Sequence, residues 1–238
     1  MKKLTQRDAI AKINKRGALL VFPINNRPQP LSLWSEFFPR SRMKWEWNED
    51  GDDRVGEMWF LMKRLSDCRK VVYSKWYQGR ATFFSRELFT AMLAVFQQTG
   101  DLTRGLLPES QILLEVLESD SPLSTKELKR LADMSGKENE AAYNRGTREL
   151  FSRLLVIGFG EVDDGAFPSL AIGATRLIYE DLWNEAAAME KGRAEAVIDR
   201  YMPAGTPFRR QFEKIKTVLA ESAKFAFTRD QDSFPFSD

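Results

Sequence analysis

Residues 139–166 have the sequence NEAAYNRGTRELFSRLLVIGFGEVDDGA. The first part of this stretch places aromatic and aliphatic residues on one side of a helical wheel and charged or small residues on the other, which predicts an amphipathic helix over about 138–155. The second part predicts a β-hairpin, with strands over 156–162 and 167–172 joined by an Asp-Asp-Gly turn. Residues 139–166 therefore predict a helix that leads directly into a hairpin.

Two shorter helices are predicted upstream of this unit. Pro108 suits the first turn of one helix, and Ser124 and Glu127 have the spacing of a capping box at the start of the other. Three helices followed by a hairpin, within about 65 residues, is the element order of a winged helix-turn-helix.

The N-terminal half of the chain shows a weaker form of the same order. Residues 71–77 and 81–85 are rich in β-branched and aromatic side chains, and Gln78-Gly79 between them predicts a hairpin turn. Helices are predicted on both sides of this hairpin. The predicted fold class is α+β, mostly α, with tandem winged helix-turn-helix modules and a C-terminal helical extension.

Three parts of the chain are predicted on this basis. Residues 1–100 form a winged-helix-like module with a basic hairpin, residues 106–175 form the winged helix-turn-helix, and residues 176–238 form C-terminal helices. Linker residues around Gly100 and Gly105 separate the first part from the second.

Composition excludes several classes of active site. Histidine is absent from all 238 residues, and Cys68 is the single cysteine. Catalytic triads that use imidazole, His-containing metal sites, thiolate zinc sites and internal disulfides are therefore excluded. The acidic residues between Glu49 and Asp53 do not follow EF-hand spacing and are interpreted as a solvated loop. We predict neither a metal site nor a cofactor.

The charge and hydropathy of the chain suggest where it works and what it attracts. We expect a cytoplasmic protein, since neither a membrane-spanning run nor a secretory signal is predicted. Residues 1–100 carry 18 Lys and Arg against 10 Asp and Glu, whereas residues 101–238 carry 18 against 24. Attraction to phosphate is therefore expected toward the N-terminal side, although such an asymmetry also occurs in proteins that bind no polyanion.

Eight polar residues are the candidates for contacting nucleic acid. On the amphipathic helix, arginine can recognise guanine, asparagine can recognise adenine, and lysine or arginine can hold phosphates. Basic residues on the first hairpin offer a second polyanion surface, where neighbouring aromatic rings either stack on bases or are buried. The candidates are Lys75, Arg80, Arg86, Lys126, Lys137, Asn144, Arg145 and Arg148.

Negative charge close to these candidates favours other interpretations. Glu138, Glu140 and Glu149 lie on the same predicted helix, and Glu161 lies with two aspartates near the predicted wing tip. A winged helix that contacts a protein, or that serves only as a scaffold, is compatible with this pattern.

Two stretches of the chain resemble a known family of DNA repair enzymes. They are DDRVGEMWFLMKRLSDCRKVVYSKWYQGRATFFSRELF, which starts at Asp52, and the pattern LSTKELKRLADM…YNRGTRELFSRLLV, which starts at Leu123. They resemble proteins related to the tandem winged-helix DNA glycosylases of the AlkZ group, over about residues 4–180. The resemblance implies tandem winged helices and a relation to enzymes that remove alkylated bases or unhook interstrand crosslinks.

The catalytic motif of that family has no counterpart here. The family's active site resembles a glutamine–apolar–glutamine or glutamine–apolar–aspartate motif after the first helices, but in this chain Gln29 is followed two residues later by Leu31. No catalytic residue is therefore assigned. We expect a DNA-binding protein without glycosylase activity whose partner is double-stranded DNA. The alternatives are a glycosylase acting on alkylated or crosslinked bases and a protein-interaction scaffold.

Overall fold

The computed structural model describes residues 4–44, 53–162 and 169–231. The predicted acidic loop lies largely outside these residues, as do the turn of the second hairpin and the C-terminal end of the chain. The helices are α1 Gln6–Arg16, α2 Leu33–Phe37, α3 Asp53–Ser66, α4 Arg86–Thr99, α5 Pro108–Ser119, α6 Thr125–Leu131, α7 Glu140–Ser152, α8 Thr175–Ile178, α9 Glu180–Ala188, α10 Lys191–Tyr201 and α11 Pro207–Gln231, with a 3₁₀ turn at Lys137–Asn139. The strands are β1 Ala18–Leu20, β2 Val71–Tyr77, β3 Arg80–Ser85, β4 Leu123–Ser124, β5 Val156–Val162 and β6 Ser169–Ala174.

The architecture is α+β and mostly helical, as predicted. Within the described residues, six antiparallel strands form one sheet in the order β1-β3-β2-β5-β6-β4. The order helix, short strand, two helices, two strands occurs twice, first in α1 to β3 and again in α5 to β6. In each case the short strand pairs with the last strand. The two halves of the sheet meet where Tyr73 of β2 pairs with Gly158 of β5.

Local sequence signals account for most element boundaries. The Thr5 hydroxyl accepts a hydrogen bond from the Asp8 amide at 3.1 Å at the start of α1, and Gly17, with φ 77°, ends that helix. The Ser124 hydroxyl accepts a hydrogen bond from the Glu127 amide at 3.1 Å at the start of α6. The predicted turn of the first hairpin is confirmed, because two consecutive residues between β2 and β3 have positive φ.

The sheet is buried on both faces in its N-terminal half. Val72 and Phe84 belong to the larger core, which also contains α4, whereas Val71, Tyr73 and Phe83 belong to a smaller core with α1 and α3. This alternation follows from the two-residue period of a strand. Helix α4 is buried along nine consecutive residues, so it forms the centre of the larger core.

Several predicted boundaries were wrong. Leu19 and Leu20, which the sequence predicts on the apolar side of the first helix, instead form part of β1. The amphipathic helix α7 ends at Ser152, because Leu154 has a positive φ of 60°. Strand β6 is described from Ser169 to Ala174, and its predicted start at 167 lies outside the described part of the chain. Helical spacing from Leu182 onward also predicts a single helix that ends near Met202.

In place of that single helix there are two, α9 and α10. Met189 has an extended backbone between them, with ψ 131°, and this turns the chain. Helical spacing places Ile112 and Leu131 on the apolar sides of their helices, but they are exposed, at 43% and 44%. Helical periodicity indicates an apolar side but not how much of its width the core covers.

Gly158 allows the close approach of the two halves of the sheet. A Cβ atom at this position would lie 2.3 Å from Tyr73 Cδ1, inside a buried contact. We expect Gly158→Ala to lower the free energy of unfolding by about 2 kcal/mol, because overpacking forces buried groups apart. Denaturant unfolding measures this change.

Gly56 provides the matched control. It lies in α3, and a Cβ atom there would meet nothing within 4 Å. Gly56→Ala should therefore raise the free energy of unfolding by about 0.5–1 kcal/mol through helix propensity alone. Equal stability of the Gly158→Ala protein and the original chain would show that the junction between the sheet halves is not tightly packed.

No helix in the described residues is long and apolar enough to cross a membrane.

Candidate nucleic-acid interface

Helix α7 has one face fixed in the core and one face exposed. Tyr143, Leu150 and Phe151 are buried, and a Cβ atom on Gly146 would lie 2.8 Å from Leu113 Cδ1 of α5. The small residue at 146 thus lets α5 and α7 approach closely. Because these contacts fix the rotation of α7 about its axis, the opposite face carries Asn144, Arg145 and Arg148 into solvent.

The two arginines of this face differ in their contacts. Arg145 Nε lies 2.9 Å from Glu109 Oε1, although the Arg145 side chain keeps 60% of its surface exposed. Arg148 is exposed, and it makes no ion pair or hydrogen bond through its side chain with the described residues. Arg148 is therefore the arginine of α7 that is most available to an external anion.

A cleft of about 670 Å³ separates α7 from the tip of the β2–β3 hairpin and from α11. Its walls combine cationic, amide and apolar side chains. Phe208 packs on Tyr77 at a ring distance of 5.0 Å, and Phe212 stacks on Phe96 of α4 at 5.1 Å, so these contacts hold α11 in place. The lining residues include Trp76, Gln78, Leu107, Arg145, Arg148, Gln211, Lys214, Ile215 and Val218.

A second pocket, of about 260 Å³, lies between the hairpin tip, α6 and α7. Lys75 from β2 and Asn144 from α7 line it, and Arg148 lines both this pocket and the cleft. Lys129 Nζ lies 2.5 Å from Glu140 Oε2 at the same pocket. The structure thus brings Lys75, Asn144 and Arg148 together, with Arg145 at the adjacent cleft.

The remaining predicted residues do not line these two cavities. Arg80 is exposed at the start of β3, and Lys126 and Lys137 are exposed at the start of α6 and in the 3₁₀ turn. Arg86 follows the opposite end of β3 and makes an ion pair with Asp181. Its guanidinium also lies 5.6 Å from the ring centre of Tyr179 and donates to a backbone carbonyl, so Arg86 has a structural environment of its own.

The aromatic residues of the first hairpin are buried. Trp76 is 1% exposed, Tyr77 is 6% exposed, and both Phe83 and Phe84 are 0% exposed. Of the two possibilities raised by the sequence, burial rather than stacking on bases therefore describes these rings.

Acidic residues near the candidates are partly neutralised. Glu140 accepts hydrogen bonds from Lys129 at 2.5 Å and from Asn144 Nδ2 at 3.3 Å. Glu161 of β5 lies 3.2 Å from Lys63 of α3. Both aspartates expected at the second hairpin turn lie outside the described residues.

Glu149 is occupied by hydrogen bonds within the fold. Its Oε2 accepts from the Leu107 amide at 2.9 Å and from the Ser110 hydroxyl at 2.6 Å, and its Oε1 accepts from Arg153 at 2.7 Å. Arg153 is 3% exposed and also donates to three backbone carbonyls of residues 102–105. Although Glu149 lines the cleft, these contacts show that it joins α7 to the linker that precedes α5.

Sequence reasoning missed the contribution of α11 to the cleft. Gln211, Lys214 and Val218 recur at helical spacing and face the cleft together. That periodicity was visible, but it does not tell which distant element the helix packs against. Gln78 was recognised as a turn residue and not as part of a cavity.

The amide side chains of Asn25, Asn26 and Gln29 lie in the region that matches the family's motif and are candidates for positioning a water. Asn26 Nδ2 donates to the Met43 carbonyl at 3.0 Å, and Asn26 Oδ1 accepts from the Met43 amide at 2.7 Å. Gln29 is exposed. Cys68 is half-buried after α3. Among the described residues, no group of three or more cysteines and acidic residues is arranged to hold a metal ion.

Comparison with family models identifies the chain. The model described as AlkZ related matches residues 4–207. The chain belongs to the AlkZ-related family. Searches of curated proteins and of solved structures each returned no match. The family resemblance read from the sequence is thus confirmed.

Burial of Tyr143 makes the folding stability of this AlkZ-related protein depend on pH in the alkaline range. Burial raises the pKa of Tyr143 to about 12, and the Thr125 side chain offsets this only in part. The Tyr143 hydroxyl has no hydrogen bond of normal geometry to the described residues. Since the unfolded chain loses this proton near pH 10, stability is complete below that pH and falls as the pH rises toward 12.

We therefore expect Tyr143→Phe to leave the free energy of unfolding at pH 8 nearly unchanged and to make its decline above pH 10 shallower. The matched control is Tyr179→Phe, because the Tyr179 hydroxyl donates to the Val71 carbonyl at 3.1 Å. Loss of that bond should cost about 1 kcal/mol at pH 8. If the free energy of unfolding of Tyr143→Phe declined above pH 10 as steeply as that of the original chain, the attribution of this decline to Tyr143 would be contradicted.

Proposed function

We propose that this AlkZ-related protein is a cytoplasmic tandem winged-helix protein that binds double-stranded DNA without glycosylase activity. In this proposal α1 to β3 and α5 to β6 are the two winged-helix modules, and α7 is the helix that approaches the duplex. The hairpin tip with Lys75 and Arg80 contacts the phosphate backbone beside it.

The single observation that carries the proposal is the position of Arg148. This arginine stands exposed on α7 without an ion pair to the described residues, between the cavity lined by Lys75 and the cleft lined by Lys214. A guanidinium with no internal acid partner retains its charge for an external phosphate, and cations on three neighbouring elements reinforce one another.

The absence of a glycosylase site is proposed on two grounds. The chain lacks the family's glutamine motif at Gln29. Glu149, the carboxylate that lines the cleft among the described residues, already accepts three hydrogen bonds from the fold. A carboxylate in that state has little remaining capacity to orient a water molecule.

Fluorescence anisotropy with a labelled random duplex, at low and at moderate salt, tests DNA binding. We expect binding at low salt that weakens steeply as salt rises, because neutralised phosphates release counterions. Absence of binding at low salt would reject the proposal and would favour a protein-interaction scaffold.

Glycosylase activity is the second candidate, favoured by family membership. The cleft beside α7 is large enough, at about 670 Å³, to admit a nucleobase removed from the helical stack. Incubation with alkylated and with crosslinked duplexes, followed by detection of released base, separates the two candidates. Release that continues after Gln29→Ala substitution would place the catalytic site elsewhere in the chain.

A further inference from the structure

Lys75 is a half-buried lysine whose side chain has no partner among the residues that the structure describes. It lies on β2 next to the hairpin tip and lines the 260 Å³ pocket between that tip, α6 and α7. Its amine makes no hydrogen bond and no ion pair with the described residues. A lysine amine normally remains in water, so its position within a pocket calls for a chemical explanation.

The charged groups that face this pocket do not compensate an ammonium ion at Lys75. Glu140 is the carboxylate in the described lining, and it is held by Lys129 at 2.5 Å and by Asn144 at 3.3 Å. Lys129 and Arg148 add two positive charges to the same lining. Burial lowers the pKa of the Lys75 amine, so both the desolvation and the neighbouring cations favour the neutral form.

A lowered pKa enlarges the unprotonated fraction of an amine, and the unprotonated amine is the nucleophile toward carbonyl compounds. The other residues that face the pocket can assist binding of a sugar phosphate: Arg148 offers a guanidinium to a phosphate, and Asn144 and Thr147 offer polar atoms to hydroxyl groups. An abasic site in duplex DNA carries both required features, because its ring-opened sugar has an aldehyde and it is flanked by phosphates.

We propose that the Lys75 amine forms a Schiff base with the aldehyde of an abasic site in duplex DNA. This inference rests on the proposed DNA binding and names the kind of lesion that the same face would engage. The nitrogen lone pair adds to C1′ of the open sugar, and the C–N bond forms. The carbonyl oxygen then leaves as water after taking up protons, which gives an imine that water can hydrolyse back to amine and aldehyde.

Hydride trapping tests the covalent step. The full chain is incubated with a labelled duplex that contains one abasic site, in the presence of cyanoborohydride, which reduces the imine to a stable secondary amine. The trapped yield is divided by the fraction of duplex bound, measured in parallel by anisotropy. We expect a trapped product whose peptide map assigns the linkage to Lys75, and no product with an intact duplex.

Two variants define the result. Lys75→Arg keeps a basic side chain at this position, but the guanidinium stays charged and is not a nucleophile, so the yield per bound complex should fall about tenfold. Lys191→Met removes an exposed lysine of α10 and should leave the yield unchanged. Linkage spread over exposed lysines, or an unchanged yield in Lys75→Arg, would overturn the proposal as non-specific amine chemistry.

A measurement on the protein without DNA separates this proposal from DNA binding itself. Limiting formaldehyde with cyanoborohydride at neutral pH methylates the most nucleophilic amines, which mass spectrometry locates. We expect Lys75 to be modified before Lys191. If Lys75 reacts first but the chain ignores DNA, the amine assignment stands and both the abasic substrate and the proposed function are rejected. If Lys75 reacts no faster than Lys191, the amine assignment is rejected whether or not the chain binds DNA.

Discussion

Arg148→Ala is expected to weaken duplex binding about tenfold at low salt and to reduce the slope of log affinity against log salt by about 1. The reason is that Arg148 contributes one charge to the phosphate backbone and loses no internal partner when it is removed, since it makes no ion pair with the described residues. The fold should be unaffected because the side chain is exposed.

Anisotropy titrations at four salt concentrations measure both quantities. Arg193→Ala is the matched control: this arginine is also exposed, but it lies on α10, outside the two repeated units. Its removal should leave the salt slope unchanged. Equal losses of affinity in the two variants would mean that binding follows overall charge, and the assignment of α7 would then be wrong.

Glu149→Ala is expected to lower the free energy of unfolding by about 3–5 kcal/mol, the range found when one partner of a buried ion pair is removed. Arg153, which is 3% exposed, would keep its charge but lose its ion-pair partner. The Leu107 amide and the Ser110 hydroxyl would also lose their acceptor, so the start of α5 would separate from α7.

Chemical unfolding followed by circular dichroism provides the measurement. Glu118→Ala is the control, because Glu118 pairs with Arg176 at 3.0 Å on the surface and its loss should cost about 0–1 kcal/mol. A similar small cost for Glu149→Ala would show that water replaces the carboxylate, and that this network does not position α7.

Local signals in the sequence were sufficient to predict much of the fold. The start of α6 at Ser124 and the hairpin turn at Gln78-Gly79 depend on residues within a few positions of each other, and both are as predicted. The exposed face of α7 followed from its periodicity in the same way. Such features are determined by short-range geometry, which a single sequence contains.

Features that depend on distant parts of the chain were not predictable in this way. The pairing of Tyr73 with Gly158 joins the two halves of the sheet, and no local pattern indicates it. Packing of α11 on α4 and on the first hairpin places Lys214 in the cleft, and the pairing of Arg145 with Glu109 joins residues 36 positions apart. The parts of the candidate site on α7 and on the first hairpin were therefore predictable, but the wall of the cleft that α11 forms was not.

Protection of lysines by bound duplex tests the central claim most directly. The chain is labelled with an amine-reactive reagent with and without a saturating duplex, and the modification of each lysine is quantified by mass spectrometry. The account predicts that labelling of Lys75, Lys126 and Lys137 falls when duplex is bound, while labelling of Lys191 does not change. Protection of Lys191 alone, or equal labelling of all four lysines with and without duplex, would contradict it.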